Sequence, residues 1–147
     1  AQTESKLLMR VQDQILSPRY GAPIIGATKD FISGAYLFTR RETLLYAHEV
    51  GKLLSATGYT GKLPEPTVKA PMKQWTGKQI FSLYLPKDFN VVSRANVCRH
   101  CPTCDKELCK YDSYVMIQGG ELLTGVIDQN SIGAERAETI FHRILKD

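Results

Sequence analysis

The sequence predicts a single α+β domain, in which N-terminal helices precede a small antiparallel β element with a hairpin and a C-terminal helix. Three observations predict this order. Apolar residues recur at helical spacing in residues 1–57, prolines mark an extended crossing at 58–75, and strand-like runs flank a Gly-Gly pair within 76–147. Helices and strands that are segregated along a chain of 147 residues are typical of one α+β domain.

Helix starts are marked by capping residues. Thr39 and Glu42 fit a capping box, in which the threonine oxygen accepts from a first-turn amide and the glutamate reaches back. Gly58 stands where that helix should end. Thr76 and Gln79 form a second box, ahead of a short helix that must end before a proline. The predicted helices cover residues 4–15, 28–38, 40–55, 77–84 and 134–146.

Apolar faces on these helices define part of the expected core. Trp75 and Ile80 have the spacing of a hydrophobic staple across the start of the short helix. Two further faces are predicted to point inward: Phe31, Ile32, Ala35 and Phe38 in the 28–38 helix, and Ala137, Ile140, Phe141, Ile144 and Leu145 in the last helix.

The β element is predicted around one turn. Gly119 and Gly120 supply the positive φ angles of a two-residue hairpin turn between strands at 114–118 and 121–127. A further strand is predicted at 89–93. Composition predicts a loop at 17–23 and a stiff, extended connection at 61–73.

Composition and charge bound the class of protein. Hydrophobic content of 43% and a net charge of +4 are ordinary for a soluble globular chain. No apolar run approaches the ~18 residues of a membrane span, and no signal-peptide core follows the first residues. Residues 51–87 carry six lysines and one acid, which is either a solvated basic face or a surface that attracts phosphates. A cytoplasmic, reducing location is expected.

The densest set of reactive side chains lies in residues 96–112, which we call the cysteine loop. Cys98, Cys101, Cys104 and Cys109 follow the pattern C-x2-C-x2-C-x4-C. Four thiolates can close a tetrahedral zinc shell, and a closed shell is structural because no position remains for a catalytic water. An iron–sulfur cluster is a less favoured alternative, since the first three cysteines also match the spacing of bacterial ferredoxins. A site without metal is the third alternative.

Other candidate chemistry is sparse. His48 and His142 have no partner at a fixed spacing and are predicted to be surface or boundary residues, while His100 could replace one cysteine as a ligand. The sequence has no D-x-D pair, zinc-protease motif, nucleophile elbow or phosphate-binding glycine loop. The parts of an autonomous enzyme are therefore missing.

Three ordered motifs resemble one protein family. Residues 16–25 (LSPRYGAPII), Asp30 and residues 34–40 (GAYLFTR) resemble the largest subunit of multisubunit DNA-directed RNA polymerases. Residues 75–83 (WTGKQIFSL) and 120–127 (GELLTGVI) resemble the archaeal and eukaryotic members more particularly, and the cysteine-bearing loop looks archaeal. One departure is Lys29, where relatives commonly carry glutamine.

The resemblance implies a structural role in transcription. In that family this region is the pore, or funnel-base, domain, below the active centre of a nucleotidyltransferase. The implied pore admits nucleotides and accepts the RNA 3′ end during backtracking. Residues implied near the active centre are Ser17, Pro18, Gly21, Pro23 and Asp30, and the basic residues that could face the pore are Lys69, Lys73 and Lys78.

Cofactors and partners follow from the same resemblance. The catalytic magnesium is expected only in the full polymerase, on a loop outside this segment, so the segment alone is expected to be inactive. Implied partners are the rest of the same subunit, the other polymerase subunits, DNA, RNA and nucleoside triphosphates, with a transcript-cleavage factor reaching in through the pore. No membrane partner is expected.

Two rival interpretations remain open at this level. A free-standing, zinc-stabilised nucleic-acid-binding module would explain the lysines and the cysteines, and would bind nucleic acid in a salt-dependent manner. An iron–sulfur electron carrier would absorb visible light. If the segment is instead excised from a longer subunit, it should expose more apolar surface than a monomer usually does.

Overall fold

The computed structural model describes residues 1–100, 108–134, 136 and 138–146, with the backbone alone at 99 and 100. It confirms an α+β arrangement with two small antiparallel sheets. The N-terminal segment is less helical than predicted, because α1 (Gln2–Leu7) ends early and only a 3₁₀ turn (Val11–Gln14) follows. No helix in the described part of the chain is long and apolar enough to cross a membrane.

Helix α2 (Asp30–Thr39) agrees with the predicted helix at 28–38, but its exposed face differs. The prediction that Phe31 points inward is wrong, because its side chain is 75% exposed. Ala35 and Phe38 are partly buried, each against one of the two hydrophobic cores described below. The capping box at Thr39 is wrong, since Thr39 is the last residue of α2 and is fully buried. Its hydroxyl donates to the Ala35 carbonyl (2.7 Å) and accepts from the Ile127 amide (2.8 Å).

The predicted helix at 40–55 begins seven residues later. Strand β1 (Leu44–Tyr46) comes first, and α3 (Ala47–Thr57) follows it. The amide of Tyr46 donates to the Glu49 carboxylate at 2.8 Å, so a glutamate does reach back, but at a different position. Gly58 adopts a positive φ of 68° and ends α3 as predicted.

Strand β2 (Gln74–Thr76) pairs antiparallel with β1 and leads directly into α4 (Gly77–Ser82). Here the capping box is confirmed, because Thr76 and Gln79 exchange two bonds of 3.3 Å between side chain and amide. Trp75 and Ile80 share one buried cluster, as the staple predicted. This cluster also contains Val50 and Leu54, joins α3, β2 and α4, and forms one of the two hydrophobic cores of the described residues.

The larger sheet has the order β3-β4-β5, formed by Val91–Arg94, Tyr114–Gln118 and Glu121–Thr124. The hairpin is confirmed: Gly119 and Gly120 have φ angles of 59° and 75°. The second strand stops before 127 because Gly125 turns the chain with a φ of 92°. One face of this sheet packs on the buried side chains Phe89, Val126, Ile127, Ile132 and Ile140.

The C-terminal helix is shorter than predicted. A short α5 (Gln129–Ile132) comes first, and α6 (Ile140–Lys146) begins six residues after the predicted start at 134. The Thr139 hydroxyl accepts from the His142 amide at 3.2 Å, which places the helix start beside that threonine. Ile140 is buried, but Phe141, Ile144 and Leu145 are at least 39% exposed, and Ala137 lies outside the described residues.

Candidate functional site

An ionic cluster surrounds the buried Asp112, and we call its members Arg41, Lys78 and Asp112 the Asp112 cluster. The Lys78 ammonium lies 2.5 Å from one carboxylate oxygen of Asp112, and the Arg41 guanidinium lies 3.3 Å from the other. The amide of Gly125 also donates to Asp112, at 3.0 Å. This carboxylate therefore joins the end of α2, the first turn of α4, the end of β5 and the approach to β4.

Burial decides the strength of these contacts. The side chains of Lys78 and Asp112 are 12% and 11% exposed, whereas that of Arg41 is 58% exposed. Burial lowers the pKa of the Lys78 ammonium below its ordinary value, and the hydrogen bond and charge of Asp112 oppose that effect. Removing either partner of the Lys78–Asp112 pair would therefore leave the other charge buried without a counter-charge.

The cysteine loop begins and ends at paired strands. The Ala95 amide donates to the Ser113 carbonyl at 2.8 Å, which extends the β3–β4 ladder to the two ends of the loop. Cys98 is partly buried and Cys109 is 8% exposed, and both are free thiols. A hydrogen bond of 3.0 Å between the Ser113 hydroxyl and the Cys109 sulfur lowers the pKa of that thiol, and burial acts in the opposite direction.

Metal ligation by the four cysteines stays a prediction. Cys101 and Cys104 lie outside the described residues, so the predicted set cannot be measured as a whole. Within the described residues, no three His, Cys, Asp or Glu side chains come together as metal ligands would.

A second buried carboxylate lies at the start of the cysteine loop. One oxygen of Asp128 accepts from the Asn96 amide at 2.5 Å, and the other accepts from the Asn130 amide at 2.9 Å. Asp128 is 6% exposed and caps α5. Asp128 therefore holds the backbone at Asn96, where the cysteine loop leaves the sheet, close to the first turn of α5.

The loop implied near the active centre forms one tight turn. An antiparallel bridge joins Leu16 to Pro23, the Gly21 amide donates to the Ser17 carbonyl at 2.8 Å, and Gly21 has a φ of 68°. Ser17 and Pro23 are buried, while Pro18 is exposed.

The remaining predicted site residues lie elsewhere. Asp30 is exposed at the start of α2. Lys73 is also exposed, and Lys69 forms an exposed pair with Glu65 at 3.1 Å. Lys78 differs from these two lysines because its side chain is only 12% exposed and is paired with the buried Asp112. That any of these residues faces a pore stays a prediction.

Sequence reasoning missed Arg41, Asp112 and Asp128. Arg41 and Asp112 are 71 residues apart, and no motif connects them. The sequence contains a partial signal for a turn at Asp112, because aspartate tolerates the left-handed backbone conformation better than most residues. Asp112 adopts that conformation, with a φ of 51°. What these groups can do is structural: they hold chain segments together, and no nucleophile–base pair stands among them.

Comparison with known proteins identifies the family. The family model "RNA polymerase Rpb1, domain 3" matches residues 14–147. Over 144 residues the chain is 44% identical to DNA-directed RNA polymerase subunit Rpo1N of Sulfolobus acidocaldarius, covering 98% of this chain and 16% of that protein. The Rpo1N of Methanocaldococcus jannaschii is 47% identical over 148 residues, covering 100% of this chain and 11% of that protein.

A eukaryotic relative matches as well. DNA-directed RNA polymerase III subunit RPC1 of Homo sapiens is 38% identical over 158 residues, covering 100% of this chain and 11% of that protein. The chain thus spans a small part of the length of the curated relatives that it matches. The resemblance to polymerase largest subunits is confirmed, and the chain belongs to the RNA polymerase Rpb1, domain 3 family.

Proposed function

We propose that this chain is an architectural domain of an archaeal-type DNA-directed RNA polymerase, and that it lines the pore below the active centre. The match of the family model to residues 14–147 carries this proposal. The absence of a catalytic motif from the sequence agrees with a domain that shapes a passage while the chemistry takes place on another part of the subunit.

The surface of the chain supports a place inside a larger body. Its accessible surface is 10354 Å², whereas a folded monomer of 16.5 kDa is expected to expose about 7,600 Å². Much of the exposed apolar surface lies at and before the start of α2. The residues there that are at least 40% exposed include Leu7, Leu8, Met9, Val11, Leu16, Ile24, Ile25 and Phe31. Such surface marks protein contacts, and the rest of the same subunit and the other polymerase subunits are the proposed partners.

The proposed ligands are those of a transcribing enzyme in the cytoplasm. Nucleoside triphosphates and the RNA 3′ end would pass the domain, together with a transcript-cleavage factor, and DNA would be held by the complete complex. The positive charges of Lys69 and Lys73 would attract these polyanions electrostatically. The catalytic magnesium would be held outside this chain, and the chain's own contribution is to position the turn that contains Ser17 and Gly21.

Reversing the charge of the exposed lysines should weaken nucleotide supply. In a polymerase reconstituted with the complete subunit, Lys69→Glu combined with Lys73→Glu is expected to raise the apparent KM for nucleoside triphosphates by about twofold or more, because the local concentration of anions falls. Elongation rates measured across nucleotide concentrations check this. The effect should shrink at high salt, since screening shortens the reach of surface charges.

The control is Lys52→Glu, another exposed lysine, which should leave that KM unchanged. Equal effects of the control and of the double variant would contradict the pore assignment. RNA extension by the 147-residue chain alone would overturn the architectural role. Tight, salt-dependent binding of nucleic acid by that chain would instead favour the free-standing module.

We also propose that the cysteine loop holds one structural zinc ion through Cys98, Cys101, Cys104 and Cys109. The donor chemistry fits, because the two described cysteines are free thiols and the paired strands bring the two ends of the loop together. A bound zinc would neutralise much of the thiolate charge and tie the loop to the sheet.

Metal analysis tests the zinc proposal. Freshly purified protein is expected to contain about one zinc per chain by inductively coupled plasma mass spectrometry, and Cys98→Ser and Cys109→Ser should each lower that content sharply. Chelation should lower the thermal midpoint of the wild-type chain. His48→Ala, at an exposed position, is the control and should keep its zinc. Iron with sulfide would identify an iron–sulfur cluster, and a metal-free protein would refute both.

A further inference from the structure

We propose that Arg41, Asp112 and Asp128 are positioning residues for the metal site, because they hold the two ends of the cysteine loop in place. This inference rests on the zinc proposal above. It adds that the site is prepared by contacts outside the cysteines, and that metal binding is coupled to the packing of α2 and α4.

The C-terminal end of the loop is held by Arg41. One nitrogen of its guanidinium lies 3.4 Å from the carbonyl of Cys109 and 3.3 Å from the Asp112 carboxylate. The Asp112 amide donates to the same Cys109 carbonyl at 3.1 Å. The carbonyl of Cys109, one proposed ligand, therefore accepts from the Asp112 amide three residues later and from Arg41, which is 68 positions away in the sequence.

The N-terminal end of the loop is held by Asp128. Its carboxylate accepts from Asn96, two residues before Cys98, and the Cys98 amide donates to the Ala95 carbonyl at 3.0 Å. The Asn130 side chain also donates to the Arg94 carbonyl at 3.3 Å. The backbone that leads to Cys98 is thus held by hydrogen bonds at Arg94, Ala95 and Asn96.

These contacts should affect metal affinity for an entropic reason. A loop whose ends are held in place loses less conformational freedom when its thiolates converge on an ion than a loop with free ends. Groups that orient ligand residues typically contribute 10- to 100-fold to metal affinity. The Arg41 side chain contacts only the backbone carbonyl of the ligand residue Cys109, and it is 58% exposed, so the lower end of that range is expected.

The same geometry couples the loop to the two cores. Arg41 follows α2, and Asp112 also binds Lys78 in α4. If metal binding orders Cys109, it favours the arrangement in which Arg41 and Asp112 meet. Coupling is reciprocal, so the factor by which metal binding favours the Asp112 cluster is also the factor by which the intact cluster favours metal binding.

The test compares the zinc affinities of the full chain and of single variants, by competition with a chromogenic chelator at a temperature where all of them are folded. Arg41→Met is expected to raise the dissociation constant for zinc about tenfold. Arg41→Lys keeps the charge toward Asp112, but its side chain is shorter and lacks the rigid guanidinium plane, so an intermediate loss is expected. It also serves as the readout if Arg41→Met does not fold.

The matched control is Arg40→Met, which removes the neighbouring arginine and its exposed pair with Glu42, and which should bind zinc as the wild type does. Wild-type zinc affinity in both Arg41 variants, even with reduced thermal stability, would overturn the positioning role and leave the zinc proposal intact. Failure of the wild type to bind zinc would overturn both.

Discussion

Gly77→Ala is expected to lower the free energy of unfolding by about 3 kcal/mol or more, in the upper range for overpacked cores. A Cβ built at this position would lie 1.8 Å from the carbonyl oxygen of Phe38. That oxygen belongs to the last turn of α2, and Gly77 is the buried first residue of α4. The added methyl must therefore push two helices apart, because no flexible side chain can move away in its place. Urea unfolding of the chain measures the loss.

The control is Gly51→Ala, in the middle of α3, where a Cβ would meet nothing within 4 Å. This change should stabilise the chain by roughly 0.5–1 kcal/mol, since alanine is the better helix former. If both substitutions have the same effect, the close approach of α2 and α4 is not present in solution. Similar denaturant slopes for the two variants would show that stability, and not the compactness of either state, has changed.

Asp112→Ala is expected to cost about 3 kcal/mol, because it leaves the buried ammonium of Lys78 without its counter-charge. The exposed contact to Arg41 adds little to that figure. The loss of the acceptor for the Gly125 amide, and a φ of 51° that alanine adopts poorly, act in the same direction. Chemical denaturation of the chain, monitored by circular dichroism, tests the size of this loss.

Two further variants separate charge from shape. Asp112→Asn keeps an oxygen for the Gly125 amide and tolerates the positive φ, so it should cost less than the alanine variant. Glu42→Gln removes the exposed carboxylate that pairs with Arg40 and should change the unfolding free energy by less than about 1 kcal/mol. An Asp112→Ala variant as stable as Glu42→Gln would mean that the Lys78–Asp112 pair does not contribute to stability.

Elements with local signals could be predicted from the sequence. The hairpin was predicted because Gly119 and Gly120 provide positive φ angles that few other residues adopt. The start of α4 was predicted because Thr76 and Gln79 satisfy its first-turn amides within four residues. In both cases the stabilising atoms are close in sequence, so a single chain segment contains the whole cause.

Elements that depend on distant contacts could not be predicted. Thr39 has the sequence context of a helix start, yet it is the buried end of α2, where its hydroxyl bonds to the Ile127 amide, 88 residues away. Strands β1 and β2 have three residues each, too few for a periodic pattern, and they exist because they pair with each other. The Asp112 cluster was missed for the same reason.

The amino-acid order alone was sufficient for the family, the α+β class, the hairpin and the candidate cysteine ligands, because those conclusions depend on residue types at short spacings. The partners of Asp112, the role of Thr39, the two short strands and the burial of Lys78 were decided by tertiary structure. The physical reason is range: a cap or a turn is stabilised within a few residues. A buried charge or hydroxyl is stable only beside a partner that the folded chain brings to it.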